Sequence, residues 1–343
     1  TSRDKTIDFI KGILILFVIL GHTTLGLTDM YSFDDTMNGI ANVIYSFHMP
    51  CFIAVSGFLY SEYVGNTSQG IFSRICHKAF NILLPYVMIS VIYWIIKFAL
   101  SNLIREPVAI SSLISIPWKP IEFLWYLYAL FVIYCVAYMA DYVFARLLPH
   151  FNYKMELLFV LFLIIALTCY GSFRYEGFNY IAGFQMYFYL GCLIKKWLDK
   201  LDNRYAVLSL AVMSVLVEAS GIVLQDDMSS NPIFSSLFER FTACIVTVFI
   251  FAVSYFLSRY CDFPKWLQTI GRDSMPFYAM NVIFVGGIRI LLNRAGITNM
   301  ALQCICGFAG STAICWILYE CIIKKIRLID FIFYPGKQLD VRK

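Results

Sequence analysis

Long apolar runs alternate with short polar breaks along the whole chain. A bilayer core about 30 Å thick asks for roughly twenty apolar residues per helix. Ten runs approach that length: residues 8–28, 38–60, 77–101, 121–145, 155–172, 178–196, 205–224, 238–258, 270–292 and 299–323. Breaks such as "TDMYSFDDTMN", "SEYVGNTSQGIFSR", "LQDDMSSNP" and "CDFPKW" separate them. The pattern predicts an all-α integral membrane protein, a bundle of about ten transmembrane helices. No break reaches the size of a soluble domain and no internal repeat stands out, so one transmembrane domain over residues 1–343 is expected.

Composition narrows the class. Apolar residues make up 60% of the chain and charged residues only 14%, with a mean hydropathy of +0.72. Ordinary soluble domains carry about 45–50% and about 25%. Aromatics at 17% suit interfacial belts. The net charge of +5 is spread over loops, without the Lys/Arg cluster or basic domain that nucleic-acid binding would need. The eleven cysteines form no CxxC pair and fall mostly within apolar runs, which points to small buried hydrophobes and to no metal. No cleavable leader pattern opens the chain, so the first apolar run is expected to remain as an anchor.

Charge also predicts orientation. With ten spans, twenty of the 27 Lys and Arg residues fall on the side of the N-terminus, from Arg3 and Lys5 through Arg74 and Lys78 to Lys324 and Lys325. Seven fall opposite: Lys97, Arg105, Lys119, Arg174, Arg240, Arg289 and Arg294. The positive-inside rule then places both termini in the cytoplasm.

The first run, "DFIKGILILFVILGHTTLGL", carries Asp8, Lys11 and His22. At about 100° per residue, Lys11 and His22 lie about 20° apart around the axis, and Asp8 about 40° from His22. One narrow stripe holds all three, and it must face the bundle interior or water. His22 stands about 16 Å above Lys11, at or beyond mid-membrane. Asp8 and Lys11 suit an interfacial pair that orients the helix. An ionisable group as deep as His22 marks function more often than packing. The second run holds "YSFHMPCFIAVSGFLY", with His48 at a depth compatible with His22. Pro50 is expected to distort the helix there and to free backbone groups toward a cavity. A short connection makes these two helices antiparallel neighbours, so the histidines are expected to share a pocket.

Together these segments resemble the acyltransferase 3 family of integral-membrane acyltransferases. The resemblance rests on Asp8, Lys11 and His22; on "FHMPCFIAVSGF"; on the basic pair Arg74 and Lys78 followed by "LLPY"; on "LWYL" at 124–127; and on "FYLG" at 188–191. Five motifs in the family's order span almost the whole chain. The flavour of "KGILILFVILGH" is similar to members that acylate sugars, fucose-acetylase-like proteins included. One position departs from the pattern: in "GRDSMPFYAMN", Asn281 stands where the family commonly has a histidine. Asn can hydrogen-bond but cannot exchange a proton near neutral pH.

The resemblance implies a cytoplasmic acyl-CoA donor, acetyl-CoA first, and a hydroxyl of a cell-surface or lipid-linked saccharide as acceptor, in the bacterial cytoplasmic membrane. His22 is then the general base or a transient acyl carrier. His48 orients it, binds the thioester oxygen or holds the acceptor. Arg74 and Lys78, one turn apart, suit CoA phosphates, with Lys11 at the same entrance. Glu122, Trp125 and Tyr126 offer a carboxylate and aromatic faces to a sugar, although an interfacial belt explains them equally well. Glu218 and Arg289 are further outer-half candidates. The rival class is a transporter or exporter. A membrane sensor or scaffold would leave His22, His48 and the basic pair without a use.

Overall fold

The computed structural model describes residues 4–28, 30, 35–64, 70–99, 110–117, 119–169, 171–201, 203–223 and 231–340, and they contain helix and no strand. The helices are α1 (Lys5–Thr28), α2 (Asp35–Val64), α3 (Ile71–Lys78), α4 (Leu84–Ala99), α5 (Ile110–Ser115), α6 (Trp125–Leu147), α7 (Lys154–Cys169), α8 (Glu176–Leu201) and α9 (Arg204–Val223). They continue with α10 (Pro232–Leu257), α11 (Lys265–Arg272), α12 (Ser274–Arg294), α13 (Met300–Leu318), α14 (Arg327–Phe333) and α15 (Pro335–Asp340). Two short π-helical stretches, Ala79–Leu83 and Tyr319–Ile323, follow α3 and α13. Among the described residues, eight helical stretches are long and apolar enough to cross a membrane. The other two expected spans are also helical: α7 has 16 residues and α8 has 26.

The chain divides into two compact units. The first holds residues 1–61 and 190–321, and the second holds 62–189 and 322–343. The breaks fall inside α2, inside α8 and inside the Tyr319–Ile323 stretch.

In the first unit α1 packs against α10, α11, α12 and α13. Its start is capped by Asp4, whose Oδ1 accepts the Thr6 and Ile7 amides at 2.8 and 3.3 Å. A carboxylate here satisfies orphan helix donors and meets the positive end of the helix dipole. The other oxygen of Asp4 accepts the Tyr255 hydroxyl from α10. Further along, Thr23, Thr24 and Thr28 return their hydroxyls to carbonyls three or four residues back, which satisfies them in an apolar setting. The short helix α11 lies against the first half of α1 with Leu267, Ile270 and Gly271 buried. Phe263 before it stacks on Phe9 with ring centres 3.6 Å apart.

Glycines make that approach possible. A Cβ at Gly12 would overlap the Leu267 carbonyl, and one at Gly271 would overlap the carbonyl of Asp8. The expected span 270–292 begins later, at Ser274, because Asp273 leaves the helical region at φ −110°, ψ 46°. Its carboxylate accepts Arg272 Nε at 2.7 Å and the Tyr319 hydroxyl at 2.6 Å. The Asp273 hydrogen bond raises the Arg272 pKa above its ordinary value and keeps that guanidinium charged. The "GRDS" run is therefore a joint: Gly271 fits against α1 while Asp273 ties α11 to the end of α13.

In the second unit α3 packs on α6, α14 on α4, and α15 on the Ala79–Leu83 stretch. Tyr134 and Tyr138 on α6 are buried under α3.

Candidate active site

Residues 21–26 of α1 form the meeting point of the first unit. From α2, Ile44 and Tyr45 approach Gly21, where a Cβ would be crowded by both side chains. From α13, Gly307 leaves room for Thr23. From α12, the Arg289 guanidinium reaches Gly26. His22 lies in the middle of this convergence and is partly accessible.

The structure brings His22 and His48 to one aromatic bridge. Tyr45 Oη is 3.2 Å from His22 Nδ1. The Tyr45 ring meets the His48 ring edge-on, with centroids 4.8 Å apart and an interplanar angle of 90°. His48 is 3% exposed, and its Nδ1 lies 2.7 Å from the Ile44 carbonyl. A carbonyl only accepts, so Nδ1 carries the proton and the neutral ring presents Nε2 as its lone pair. For His22 the same logic permits two arrangements: Tyr45 donates to Nδ1, or Nδ1–H donates to Tyr45 Oη. Only the second leaves Nε2 of His22 able to accept a proton.

α2 runs through Pro50 as a continuous helix. Proline's missing N–H leaves the Ser46 carbonyl without its usual helical donor. The Ser46 hydroxyl is 2.8 Å from the Val43 carbonyl and 3.0 Å from Glu218 Oε1 on α9. Glu218 is thus carried to the residue beside Tyr45. Sequence reasoning missed Tyr45, yet it stands three residues before His48, the spacing that aligns side chains on one helical face. It also missed the joining of Arg289 to the His22 region, because only the absent Cβ of Gly26 permits it.

The remaining candidates lie elsewhere. Asp8 is buried at 7% exposure near the start of α1, and Lys11 is partly exposed. Eleven residues put Lys11 about 16 Å along the axis from His22, beyond direct contact. Arg74 and Lys78 belong to the second unit. Their cations lie over two tyrosines of α6: Arg74 is 5.9 Å from the Tyr138 ring centre and Lys78 is 3.8 Å from that of Tyr134. Matched spacing of four residues on both helices holds the two charges on one face. Trp125 stacks on Tyr180 at 5.0 Å and leans on Phe184 at 5.1 Å, while Tyr126 is buried. Glu122 begins a 3-10 turn, and its side chain lies outside the described residues. Asn281 is fully buried, with Nδ2 donating to the Phe277 and Tyr278 carbonyls at 3.0 and 2.7 Å. Its Oδ1 makes no hydrogen bond among the described residues.

With eight candidate spans among its described residues and a histidine pair set within two of them, the chain is a polytopic membrane protein with a polar site. The model of the acyltransferase 3 family, described as an acyltransferase domain, matches residues 4–320, and the chain belongs to that family. It is also similar to the nodulation protein NolL of Mesorhizobium japonicum, with 31% identity over 155 residues covering 44% of this chain and 37% of that protein. The nodulation protein NolL of Sinorhizobium fredii is 39% identical over 85 residues, covering 24% of this chain and 22% of the relative. The matched stretches span well under half the length of these curated relatives. The chain thus carries an acyltransferase domain of that family on helices long and apolar enough to cross a membrane.

Proposed function

We propose that this protein moves an acyl group, acetyl first, from acyl-CoA on the cytoplasmic side to a hydroxyl of a cell-surface or lipid-linked saccharide. The observation that carries this reading is the His22–Tyr45–His48 arrangement at the outer end of the polar stripe on α1. The excess of Lys and Arg on the side of the N-terminus supports cytoplasmic termini in a bacterial cytoplasmic membrane.

His22 acts as general base through Nε2. The acceptor hydroxyl gives its proton to the imidazole as its oxygen bonds to the acyl carbon. The carbon–sulfur bond of the thioester breaks, and the leaving thiolate recovers the proton from the imidazolium. Tyr45 accepts the Nδ1 proton of His22, which holds the ring in the tautomer that makes Nε2 basic. His48, with Nδ1 bonded to the Ile44 carbonyl, keeps Nε2 as an acceptor that orients a substrate hydroxyl. Arg74 and Lys78, held over the rings of Tyr138 and Tyr134, take the CoA phosphates.

Transfer of radiolabelled acetyl from acetyl-CoA to saccharide in proteoliposomes tests the reading. Mass spectrometry of surface glycans from cells with and without the protein identifies the acceptor. His22→Ala is expected to lower transfer by about 10²–10⁴-fold, the usual worth of a general base, in protein that remains folded and inserted. Wild-type turnover in that variant removes His22 from the chemistry. Movement of a solute across the membrane with no covalent product supports the transporter class instead.

A further inference from the structure

The acceptor oxygen gains negative charge as it loses its proton, and the acyl oxygen gains more when the tetrahedral centre forms. A fixed cation beside that centre lowers both costs, provided it is in place before reaction begins. In this membrane site the histidines supply no permanent charge.

One cation is brought to the same face of α1 as His22. Gly26 follows His22 by four residues, one turn further toward the helix end, about 6 Å along the axis and about 40° around it. The Arg289 side chain of α12 crosses to α1 there, and its Nη1 occupies the space that a Cβ on residue 26 would fill. Arg289 is half-buried, five residues before the end of α12. The low-dielectric surroundings strengthen its field at short range. α12 packs along α1, so the placement belongs to a helix interface and not to a loose surface side chain. Tyr45 of α2 also brings a hydroxyl to His22, and the neighbouring Ser46 binds Glu218.

We propose that Arg289, seated on Gly26, is a catalytic residue on the acceptor side: its guanidinium binds the oxygen that carries developing negative charge during acyl transfer. This rests on the acyl-transfer reading above. The acceptor class that fits is a neutral polyol such as a sugar. Its vicinal hydroxyls can meet the Arg289 guanidinium and the Glu218 carboxylate while one of them loses its proton to His22. The bonds that form and break are those of the same reaction: the acyl C–O bond forms, the C–S bond breaks, and the proton passes from acceptor through His22 to the thiolate.

Gly26 allows a test that leaves the Arg289 charge untouched. Gly26→Ala places a methyl group where Nη1 sits, and the flexible end of an arginine can move aside without unfolding the protein. Ala also favours helix over Gly, so the Tm of this variant should hold or rise. Acetyl transfer from radiolabelled acetyl-CoA to a saccharide acceptor is measured for the wild type, Arg289→Met, Arg289→Lys and Gly26→Ala, with both substrates varied. The expected results are a fall in kcat of roughly 10²-fold for Arg289→Met and about tenfold or more for Gly26→Ala. Partial rescue in Arg289→Lys and an unchanged KM for acetyl-CoA complete the pattern. Wild-type kcat in both Arg289→Met and Gly26→Ala overturns the proposal, as does a loss that follows Tm alone. Active wild type with silent variants removes Arg289 and leaves the acyl-transfer reading standing. Inactivity of the wild type toward every saccharide, with solute movement in its place, overturns both.

Discussion

Tyr45→Phe removes one hydroxyl from the site and leaves the ring in place. The ring contact with His48, at 4.8 Å and 90°, survives, and so does the packing against Gly21. What is lost is the 3.2 Å bond to His22 Nδ1. A neutral hydrogen bond is worth about 0.5–1.5 kcal/mol net, and the long distance together with a 37% exposed tyrosine favours the lower half. If that bond orients the base in the transition state, kcat should fall by about two- to fivefold. The KM for acetyl-CoA should not move, because Tyr45 does not meet the donor phosphates. Tyr45→Ala also loses the edge-to-face contact, worth about 0.5–1.5 kcal/mol, and should fall further. The assay is steady-state transfer in proteoliposomes with each substrate varied in turn, repeated on a His22→Ala background. There the Tyr45→Phe effect should vanish, since the partner it orients is gone. An unchanged kcat in the single variant, or an equal loss on both backgrounds, refutes the idea that Tyr45 acts through His22.

Four further outcomes follow from the same geometry. Arg74→Ala and Lys78→Ala should raise the KM for acetyl-CoA more than that for the saccharide, with the difference shrinking at high salt. Tyr134→Phe should preserve donor KM while Tyr134→Leu raises it, because a benzene face still holds the Lys78 cation and an aliphatic chain does not. Asn281→Ala should cost roughly tenfold or less in rate, since its amide is bonded to local carbonyls, and Asn281→His should gain little; a gain of several hundredfold in transfer assays would show that the His22 mechanism lacks a proton-transfer partner. Gly271→Ala should destabilise the protein by about 1–3 kcal/mol in thermal unfolding, because the added methyl meets the Asp8 backbone, which cannot step aside as a side chain can; an unchanged Tm would contradict the tight α1–α11 approach.

The chain's own pattern made some of this site readable. Hydropathy announces a helical membrane protein because lipid leaves the backbone few alternatives. The stripe of Asp8, Lys11 and His22 follows from arithmetic on a single helix, as does the basic face of Arg74 and Lys78. Boundaries were harder where polar side chains decide them: the break at Asp273 depends on Arg272 beside it and Tyr319 far along the chain. Partners on different helices left no periodic trace. Glu218 lies 172 residues from Ser46, and no spacing rule joins them. Asn281 was visible as a departure from a family motif, but its local bonding to Phe277 and Tyr278 was not.

The glycines explain why such a site can be precise on a helix whose middle is apolar. α1 is held at two levels. Near its start, Gly12 and Gly271 bring α11 backbone against α1 backbone. Around His22, Gly26 one turn further on admits Arg289, and Gly307 of α13 admits Thr23 beside the histidine. A helix gripped at only one level could turn about its axis at little cost, since leucine and isoleucine faces are nearly equivalent in lipid. Gripped at both, it has one rotation that fits, and that rotation turns His22 toward Tyr45. The small residues on α1 and its neighbours therefore carry positional information that no charged residue shows: they set where His22 points. Substitutions at Gly12 or Gly271 should then weaken acyl transfer even though both lie well below the histidine. The loss should appear in kcat, with the Tyr45→Phe effect reduced in the same background, because a rotated α1 has already broken the bond that Tyr45→Phe removes.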